Sequence, residues 1–599
     1  MRELMYGNEA IGRGAYDAGC AVATGYPGTP STEIIESLAR FRDIHVEWST
    51  NEKVALEVAI GASISGRRAL CTMKMVGLNV ASDPLMTVSY MGVRGGLVIV
   101  SADDPGMHSS QNEQDNRWFG KFGKVPVLEP GDSEEAYRFT REAFEISERF
   151  DTAVILRSTT RISHARSIVS LGERLLPPQI PYQKDATKYV MLPGNAKRRK
   201  PLVLQRIGAL EEFAESSPLN VLEWGDTSVG FITGGISYQY VKEAFPEASV
   251  LKLGMSYPLP RRLIQEFVKR VGRVFVAEEL DPFWETEIRA MGLWVHGKDV
   301  FPEIGELSPG IIREGVARCL GEAAPNQGTL SAPEGQMVPD PSALPARPPV
   351  LCPGCPHRSV YHVLRKLNLT VTGDIGCYTL GALPPLSSLD TTTCMGASIG
   401  HAQGMRLGLP EDKAEKVVAV IGDSTFMHSG ITPLLNMTYN DVDAPVLVLD
   451  NGTTAMTGHQ GHPGTGLNAR REEAPKASIE AIAAACGREH VTVVSAYDLA
   501  AVEKAVREAL ERPSSVVVVR TPCVLITRDR KPAPSLDPTL CIECGLCLRS
   551  GCPALERRGK KPSVNALLCT GCGVCAEICP KQALKSPAEG SSAEGGEAR

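Results

Sequence analysis

The stretch 416–453, which begins KVVAVIGDST and ends APVLVLDNGT, decides the fold class of this chain. Both ends are apolar, β-branched runs that stop at a polar turn, as buried parallel strands do. Two such strands joined by a crossover helix place Asp423 and Asn451 side by side at their carboxyl ends, where open α/β sheets bind ligands. Their side-chain oxygens, with the carbonyl of Thr453, suit Mg²⁺ and a bound diphosphate. The stretch therefore predicts an α/β domain with a cation site.

The same alternation of strand-like and helical segments extends over most of the chain. It fills the first 165 or so residues and returns near 195–320, whereas 323–349 is Pro-rich and polar, as linkers are. We predict an α/β protein of several doubly wound parallel-sheet domains. Their bounds are 1–190, 195–322 and 350–528, with a cysteine-rich domain at 535–585 and a disordered tail at 586–599.

Composition excludes several classes of protein. The 599 residues are 43% hydrophobic and 22% charged, which is ordinary for a globular protein of several domains. A net charge of −6 gives no reason to expect nucleic acid or an anionic membrane as a partner. We find no apolar run of bilayer-spanning length and no secretory signal, so the 17 cysteines point to the reducing cytoplasm.

Eight of those cysteines form two near-copies of one pattern between 541 and 580. Each copy is CxxCxxC followed by Cys-Pro, the spacing of two-cluster ferredoxins, in which the fourth cysteine of each run binds the other [4Fe–4S] cube. The first set is then Cys541, Cys544, Cys547 and Cys579, and the second set is Cys552, Cys569, Cys572 and Cys575. Zinc ribbons and disulfide knots are the alternatives. The first run has one residue more than usual before Cys552, so its turn must bulge.

The cation motif resembles that of thiamine-diphosphate enzymes, GDG followed by Asn. Here Gly422, Asp423 and Ser424 stand in the places of GDG, and Asn451 follows 28 positions after Asp423. Gly396 begins a Gly-rich helix whose N–H groups are expected to face the diphosphate, although Gly396 and Gly400 also suit close helix packing. The loop histidines, His428 and His459 with His462, are candidates for contact with cofactor or substrate.

Thiamine enzymes also need an acid beside the aminopyrimidine ring of the cofactor. They place it where a helix opens after a strand, and HVEWSTNEKVALEVAIG (45–61) has this form. We therefore select Glu52 as the catalytic acid. Glu57 is the competitor, but it lies one turn further along and is expected to face solvent. An ordinary acidic helix start is the alternative for Glu52.

Longer strings carry a more specific resemblance. YPGTPSTE (26–33), TMKMVGLNVASDP (72–84), SADDPGMHSSQNEQD (101–115), CPGCPHR (352–358) and DNGTTAMTGHQGHP (450–463) resemble the 2-oxoacid:ferredoxin oxidoreductases, in particular the alpha subunits that use indolepyruvate. The resemblance implies a pyrimidine-binding thiamine domain, a transketolase-C-like domain, a pyrophosphate-binding thiamine domain and a ferredoxin domain. It also implies a separate, smaller beta subunit.

The resemblance further implies a chemistry and more site residues. An aryl 2-oxo acid is oxidatively decarboxylated with coenzyme A, and ferredoxin accepts the electrons; phenylpyruvate, a branched-chain acid or a non-oxidative decarboxylation are alternatives. Thr29 matches a threonine that contacts the 2-oxo acid, and a turn threonine is the other reading. A third set, which matches the ligands of a third [4Fe–4S] cluster or else includes a redox dithiol, is Cys352, Cys355, Cys377 and Cys523.

Overall fold

The computed structural model describes residues 1–178, 180–322, 348–527 and 530–586. The chain forms two compact units, Met1–Pro341 and Ser342–Arg599. Of the predicted linker at 323–349, only the last two positions lie among the described residues, and of the tail at 586–599 only Ser586 does. Within the described ranges, no helix is both long enough and apolar enough to cross a membrane.

The first unit contains thirteen strands and fourteen helices among its described residues. The strands are β1 Arg2–Tyr6, β2 Val22–Gly25, β3 His45–Trp48, β4 Ala69–Lys74, β5 Leu97–Asp103, β6 Val127–Leu128, β7 Val154–Thr159, β8 Arg166–Ser170, β9 Asn220–Glu223, β10 Asp226–Thr233, β11 Ala248–Leu253, β12 Met255–Tyr257 and β13 Arg273–Ala277. The helices are α1 Gly7–Asp17, α2 Thr32–Leu38, α3 Glu52–Ile64, α4 Met75–Val80, α5 Ser82–Met91, α6 Arg117–Gly123, α7 Ser133–Phe150, α8 Thr160–His164, α9 Ala186–Tyr189, α10 Pro193–Ser216, α11 Gly235–Ala244, α12 Arg261–Arg270, α13 Phe283–Ala290 and α14 Pro309–Leu320.

A seven-stranded sheet in the order β12-β6-β7-β5-β4-β2-β3 forms the centre of this unit. Every residue of β4 and β5 is buried, because crossover helices cover both faces of a parallel sheet. Full burial of a side chain such as Leu70 or Ile99 contributes about 1.5–3 kcal/mol to folding. The edge strand β12 pairs antiparallel with β6 and comes from the predicted second domain. The seven-stranded sheet therefore includes a strand from beyond the predicted domain boundary near residue 190.

A second sheet in the first unit has the order β13-β10-β11-β9, with β9 antiparallel to β11. A buried ion cluster lies beside it. Arg117 pairs with Asp115 and, at 2.7 Å, with Glu278, which follows β13. Arg157 pairs with Asp103 at 2.7 Å. These charges tie the carboxyl end of β5 to the second sheet.

The second unit contains nine strands and eight α-helices among its described residues. The strands are β14 Thr370–Thr372, β15 Val417–Gly422, β16 Val446–Asp450, β17 His490–Val494, β18 Ser515–Arg520, β19 Ser535–Leu536, β20 Leu555–Arg558, β21 Lys561–Val564 and β22 Leu584–Lys585. The helices are α15 His357–Lys366, α16 Ala397–Gly408, α17 Glu411–Ala414, α18 Asp423–Thr425, α19 Ile431–Tyr439, α20 Ile479–Ala485, α21 Leu499–Glu511 and α22 Val574–Ile578.

The order β14-β15-β16-β18-β17 forms one wholly parallel sheet, as the opening stretch predicts. The hairpins β19–β22 and β20–β21 belong to the cysteine-rich region. The α/β fold class with a cysteine-rich C-terminal domain is confirmed.

Candidate active site and cysteine clusters

Asp423 and Asn451 lie at the carboxyl edge of the five-stranded sheet, after the adjacent strands β15 and β16. Asp423 is 2% exposed and Asn451 is 8% exposed. The N–H of Gly452 donates to Asp423 Oδ2 at 2.9 Å, and the N–H of Thr453 donates to Asn451 Oδ1 at 3.1 Å. Backbone amides thus fix both side chains in one polar corner.

This corner has the donor set of a Mg²⁺ site. The Asp423 carboxylate, the Asn451 amide oxygen and the Thr453 carbonyl are hard oxygen ligands, which leave room for diphosphate oxygens and water. Among the described residues no three His, Cys, Asp or Glu side chains converge on the position of a single metal ion. The donor set of the Asp423–Asn451 corner contains only one side chain of these four types, so it is not a site of that kind. Its three oxygen donors nevertheless match the ligands that Mg²⁺ prefers.

A neighbouring histidine contacts the same carboxylate. His462 Nε2 lies 3.1 Å from Asp423 Oδ2, and both side chains are buried. His428 is buried and hydrogen-bonds the Ser429 hydroxyl, whereas His459 is half-buried with φ +66°. Nδ1 of His459 is buried without a hydrogen-bond partner in the described residues. Of the three loop histidines, His462 is therefore the one fixed on the predicted cation ligand.

Buried groups around the corner have shifted acidities. Burial raises the pKa of Asp450, and the charge of Asp423 raises it further. Arg520, whose Nε lies 2.6 Å from Asp450 Oδ2, acts in the opposite direction. Burial also lowers the pKa of His357 to about 4, so this imidazole is neutral at physiological pH. The charges of Asp423 and Asp450 act on each other, and a cation bound at Asp423 would relieve that repulsion.

The helix start at Gly396 differs from expectation. The N–H groups of Gly396 and Ser398 donate to the buried carboxylate of Asp374 at 2.8 and 3.2 Å, so they do not face outward. Gly396 has φ +90°, and a Cβ there would lie 2.5 Å from Ser429 Cβ. Close packing therefore requires glycine at 396, which agrees with the alternative given for this residue in the sequence analysis. At Gly400 the packing expectation is wrong, because a Cβ there would meet no atom within 4 Å.

Gly422 and Ser424 line the same turn. A Cβ on Gly422 would lie 2.6 Å from Tyr378 Cε1, so no larger residue fits at the end of β15. Ser424, which replaces the second glycine of the thiamine motif, accepts a hydrogen bond from Thr454 Oγ1 at 2.9 Å. Its hydroxyl therefore joins the two loops that carry Asp423 and Asn451.

Glu52 is the first residue of α3 in the first unit. Asn51 caps the helix by accepting from the N–H of Val54 at 2.9 Å, which holds Glu52 at the helix N-terminus. The Glu52 side chain is buried and packs against Gly77, where an added Cβ would come within 2.7 Å of Glu52 Oε1. Glu57 is exposed and pairs with Lys53. The structure separates the two candidate acids by burial as expected.

Thr29 lies in the loop after β2, at the same edge of the seven-stranded sheet. Its carbonyl accepts from the Ser109 hydroxyl at 3.3 Å, and Lys74 Nζ donates to the Ser109 carbonyl at 2.7 Å. Lys74 is 9% exposed, and burial lowers its pKa to about 8. Sequence reasoning quoted this lysine within TMKMVGLNV without assigning it a role. The signal available in the sequence was a single lysine at the end of the apolar strand β4.

The cysteines of the tail gather around two separate cavities. One cavity is lined by all four members of the first set, Cys541, Cys544, Cys547 and Cys579. Another is lined by all four members of the second set, Cys552, Cys569, Cys572 and Cys575. Each cavity thus takes three cysteines from one run and the fourth from the other, as the cluster pattern expects. A cube carries one iron for each thiolate, so its ligands surround a cavity of this kind.

The third set also comes together. Burial, then the charges of Cys523 and Cys352, raises the pKa of Cys377 to about 11. Burial raises the pKa of Cys355 to about 12, with the charges of Cys377 and Cys352 adding to it. The N–H of Cys523 donates to the Asn451 carbonyl at 2.9 Å. The third set therefore adjoins the Asp423–Asn451 corner through Cys523.

The three sets follow one another through the second unit. Cys355 of the third set lines the cavity of the second set. The helix α22, which carries Cys575 of the second set, packs against the turn that begins at Cys547 of the first set. The order of proximity from the sheet edge outward is therefore the third, second and first set.

The extra residue before Cys552 has a structural explanation. Cys547–Ser550 form one 3₁₀ turn, and Gly551 then adopts φ +64°, which reverses the chain. Arg358 Nη1 donates to the carbonyls of Ser550 at 3.0 Å and Gly551 at 2.6 Å. The predicted bulge is thus a left-handed glycine held by Arg358 in the first turn of α15, which follows Cys352 and Cys355.

Comparison with known proteins agrees with these features. Family models match at 13–203 for "Pyruvate flavodoxin/ferredoxin oxidoreductase, thiamine diP-bdg", at 374–519 for "Thiamine pyrophosphate enzyme, C-terminal TPP binding domain" and at 533–580 for "4Fe-4S dicluster domain". Indolepyruvate oxidoreductase subunit IorA of Archaeoglobus fulgidus is 44% identical over 97% of both chains. The chain belongs to the IorA family. The IorA of Pyrococcus horikoshii is 41% identical over 98% of this chain and 97% of its own.

This IorA-family chain is therefore a subunit of a thiamine-diphosphate-dependent oxidoreductase with a ferredoxin-type iron–sulfur domain. The 2-oxoglutarate:ferredoxin oxidoreductase from Magnetococcus marinus is 17% identical over 53% of this chain and 65% of its own, with a TM-score of 0.46. In the IorA-family chain, sequence reasoning missed Asp374 and Lys74 and gave His462 no separate weight. Only the fold brings these residues to the sheet edges.

Proposed function

We propose that the chain is the catalytic subunit of an enzyme that oxidises aryl 2-oxo acids, with indolepyruvate as the preferred substrate. The overall reaction converts the 2-oxo acid carboxylate and coenzyme A into the aryl-acetyl thioester, CO₂, one proton and two electrons. Two ferredoxin molecules each accept one electron. The observation that carries this proposal is the continuous row from the Asp423–Asn451 corner through three cysteine sets. A non-oxidative decarboxylation releases no electrons, so it does not need a row of cluster sites.

The second unit supplies the anchor for the cofactor. Asp423, Asn451 and the Thr453 carbonyl would hold Mg²⁺ and, through it, the diphosphate, while His462 fixes the Asp423 carboxylate. When bound, thiamine diphosphate supplies a carbon nucleophile and an electron sink for the carbon that loses CO₂.

The first unit supplies acid–base and substrate contacts. Glu52, buried at a helix N-terminus, would hold a proton at the aminopyrimidine nitrogen of the cofactor. Thr29 and Lys74 would bind the 2-oxo acid, with the ammonium of Lys74 opposite the substrate carboxylate. The low dielectric that lowers the pKa of this lysine also strengthens its pairing with an anion.

The cysteine sets would hold three [4Fe–4S] clusters. The third set, next to Asn451, would receive electrons first, and the second and first sets would pass them outward. We propose a smaller beta subunit and ferredoxin as partners and the cytoplasm as the compartment. The reducing compartment keeps the thiols available to iron.

A substrate panel tests the proposal. The anaerobic enzyme with its beta subunit is given indolepyruvate, phenylpyruvate, a branched-chain 2-oxo acid and pyruvate, each with coenzyme A and an acceptor dye. Indolepyruvate should give the highest kcat/KM. A higher value for pyruvate would refute the substrate assignment, and aldehyde formation without dye reduction would establish a non-oxidative decarboxylase.

A further inference from the structure

A basic hairpin separates the two cysteine runs of the tail. Its sequence is ERRGKKP (556–562), and it forms the strands β20 and β21 with Gly559 at φ +62° in the turn. Arg557, Arg558 and Lys560 are exposed. Iron–sulfur binding uses only the flanking cysteines, so cluster ligation does not explain this insertion.

The hairpin lies against the outermost cysteine set. Arg557 lies next to Gly545, between Cys544 and Cys547 in the first run, since a Cβ added at Gly545 would come within 3.4 Å of Arg557 Nη2. Pro562 of β21 lines the cavity of the first set. Cys544 is exposed, whereas the four cysteines of the second set are half-buried, and Cys355 and Arg358 also line their cavity. The first set is therefore the one that borders solvent beside the hairpin.

Charge on this region opposes that of the chain. Between 535 and 585 there are seven basic and four acidic side chains, whereas the whole chain carries −6. Three of the acids are engaged: Asp537 pairs with Lys585 at 3.0 Å, Glu556 accepts from Asn565 at 3.3 Å, and Glu577 accepts from the N–H of Leu499 at 3.0 Å. The remaining acid, Glu543, is exposed in the first run.

The basic side chains of the hairpin stay available for a partner. Arg557, Arg558 and Lys560 form no ion pair with any other described residue, and Lys561 donates to the Pro538 carbonyl at 3.1 Å. Apolar side chains are exposed beside them, since Leu540 and Ile542 on either side of Cys541 are 41% and 57% exposed. An apolar centre with a charged rim is the usual composition of a transient protein interface.

We infer that the hairpin 555–564 and the exposed residues around Cys541 form the docking surface for a small acidic electron-carrier protein. The inference rests on the proposed function, because it concerns the exit of electrons from that reaction. Positive charge at the rim steers an acidic carrier into encounter, and the apolar centre then brings its cluster close to the first set. A cluster held by the first set would give one electron to the oxidised carrier in each encounter.

A charge-reversal variant tests the inference. The double variant Arg558→Glu, Lys560→Glu reverses two exposed positive charges. It leaves unchanged Arg557, which lies against the loop of the first cysteine run. Lys413→Glu with Lys504→Glu is the matched control, because both lysines are exposed in the same unit outside the cysteine-rich region. Each holoenzyme is titrated with a purified acidic two-[4Fe–4S] ferredoxin at low and high salt, and in parallel with a small uncharged dye.

For the hairpin variant we expect the KM for ferredoxin to rise by roughly tenfold or more at low salt, with a flatter salt dependence. Its dye-linked rate and the ferredoxin KM of the control should stay within about twofold of the parent. An unchanged ferredoxin KM, an equal effect in the control, or loss of the beta subunit on gel filtration overturns the docking assignment. Failure of the proposed function is a separate result, namely absence of dye reduction by the parent with any 2-oxo acid.

Discussion

Replacement of Glu52 by Gln gives the sharpest test of the acid–base assignment. Gln keeps the size and shape of the side chain, so the contact with Gly77 and the opening of α3 remain. It replaces the carboxyl group, which can exchange a proton, by an amide, which cannot. The variant thus separates proton chemistry from packing.

The two expected effects differ in size. Loss of a negative charge in the first helical turn costs about 0.3–1 kcal/mol of stability. Loss of a positioned acid–base group lowers kcat by roughly 10²- to 10⁴-fold, equivalent to about 3–5 kcal/mol in the activation barrier. Catalysis should therefore fall far more than stability does.

The assay compares Glu52→Gln with Glu57→Gln on the same helix. Glu57 is exposed and only pairs with Lys53, so its replacement should change kcat by less than about twofold. Indolepyruvate-dependent dye reduction is measured anaerobically, together with the melting temperature and iron content. If Glu52→Gln keeps more than about a third of the parent kcat while its fold and iron are intact, the acid–base role is refuted.

Three other measurements address the remaining sites. Asp423→Ala should lose Mg²⁺ and thiamine diphosphate together in equilibrium dialysis, because it removes the only carboxylate among the proposed cation ligands; retention of both would exclude this corner as the site. Anaerobic iron analysis should give about twelve irons per chain, and about eight would reject the third set as cluster ligands. Glu279 is buried, which raises its pKa to about 7, so the native state holds an extra proton between about pH 4 and 7 and this group lowers stability as pH rises through that window. Glu279→Gln should flatten the decline in urea midpoint from pH 5 to pH 7, and parallel declines in parent and variant would contradict the assignment.

The sequence by itself determined the strands, the family and the types of residue at the sites. Apolar runs that end at Asp423 and Asn451 are local signals, and so are the CxxCxxC spacings, because neighbours in the chain create them. The choice of Glu52 over Glu57 also followed from position at a helix start, and burial agrees with it.

Only the tertiary structure decided which distant residues meet. The carboxylate of Asp374 accepts hydrogen bonds from the N–H groups of Gly396 and Ser398 at the start of α16. The strand β12, from the predicted second domain, pairs with β6 at the edge of the first sheet. His462 lies on Asp423, and Cys355 borders the cavity of the second set, although sequence spacing gave neither pairing. These contacts join segments separated by 20 to 200 or more positions, and their formation depends on how helices and loops cover the sheets. The sequence pattern reports which face of an element is apolar, whereas the partner of a polar group depends on the packing of the whole unit.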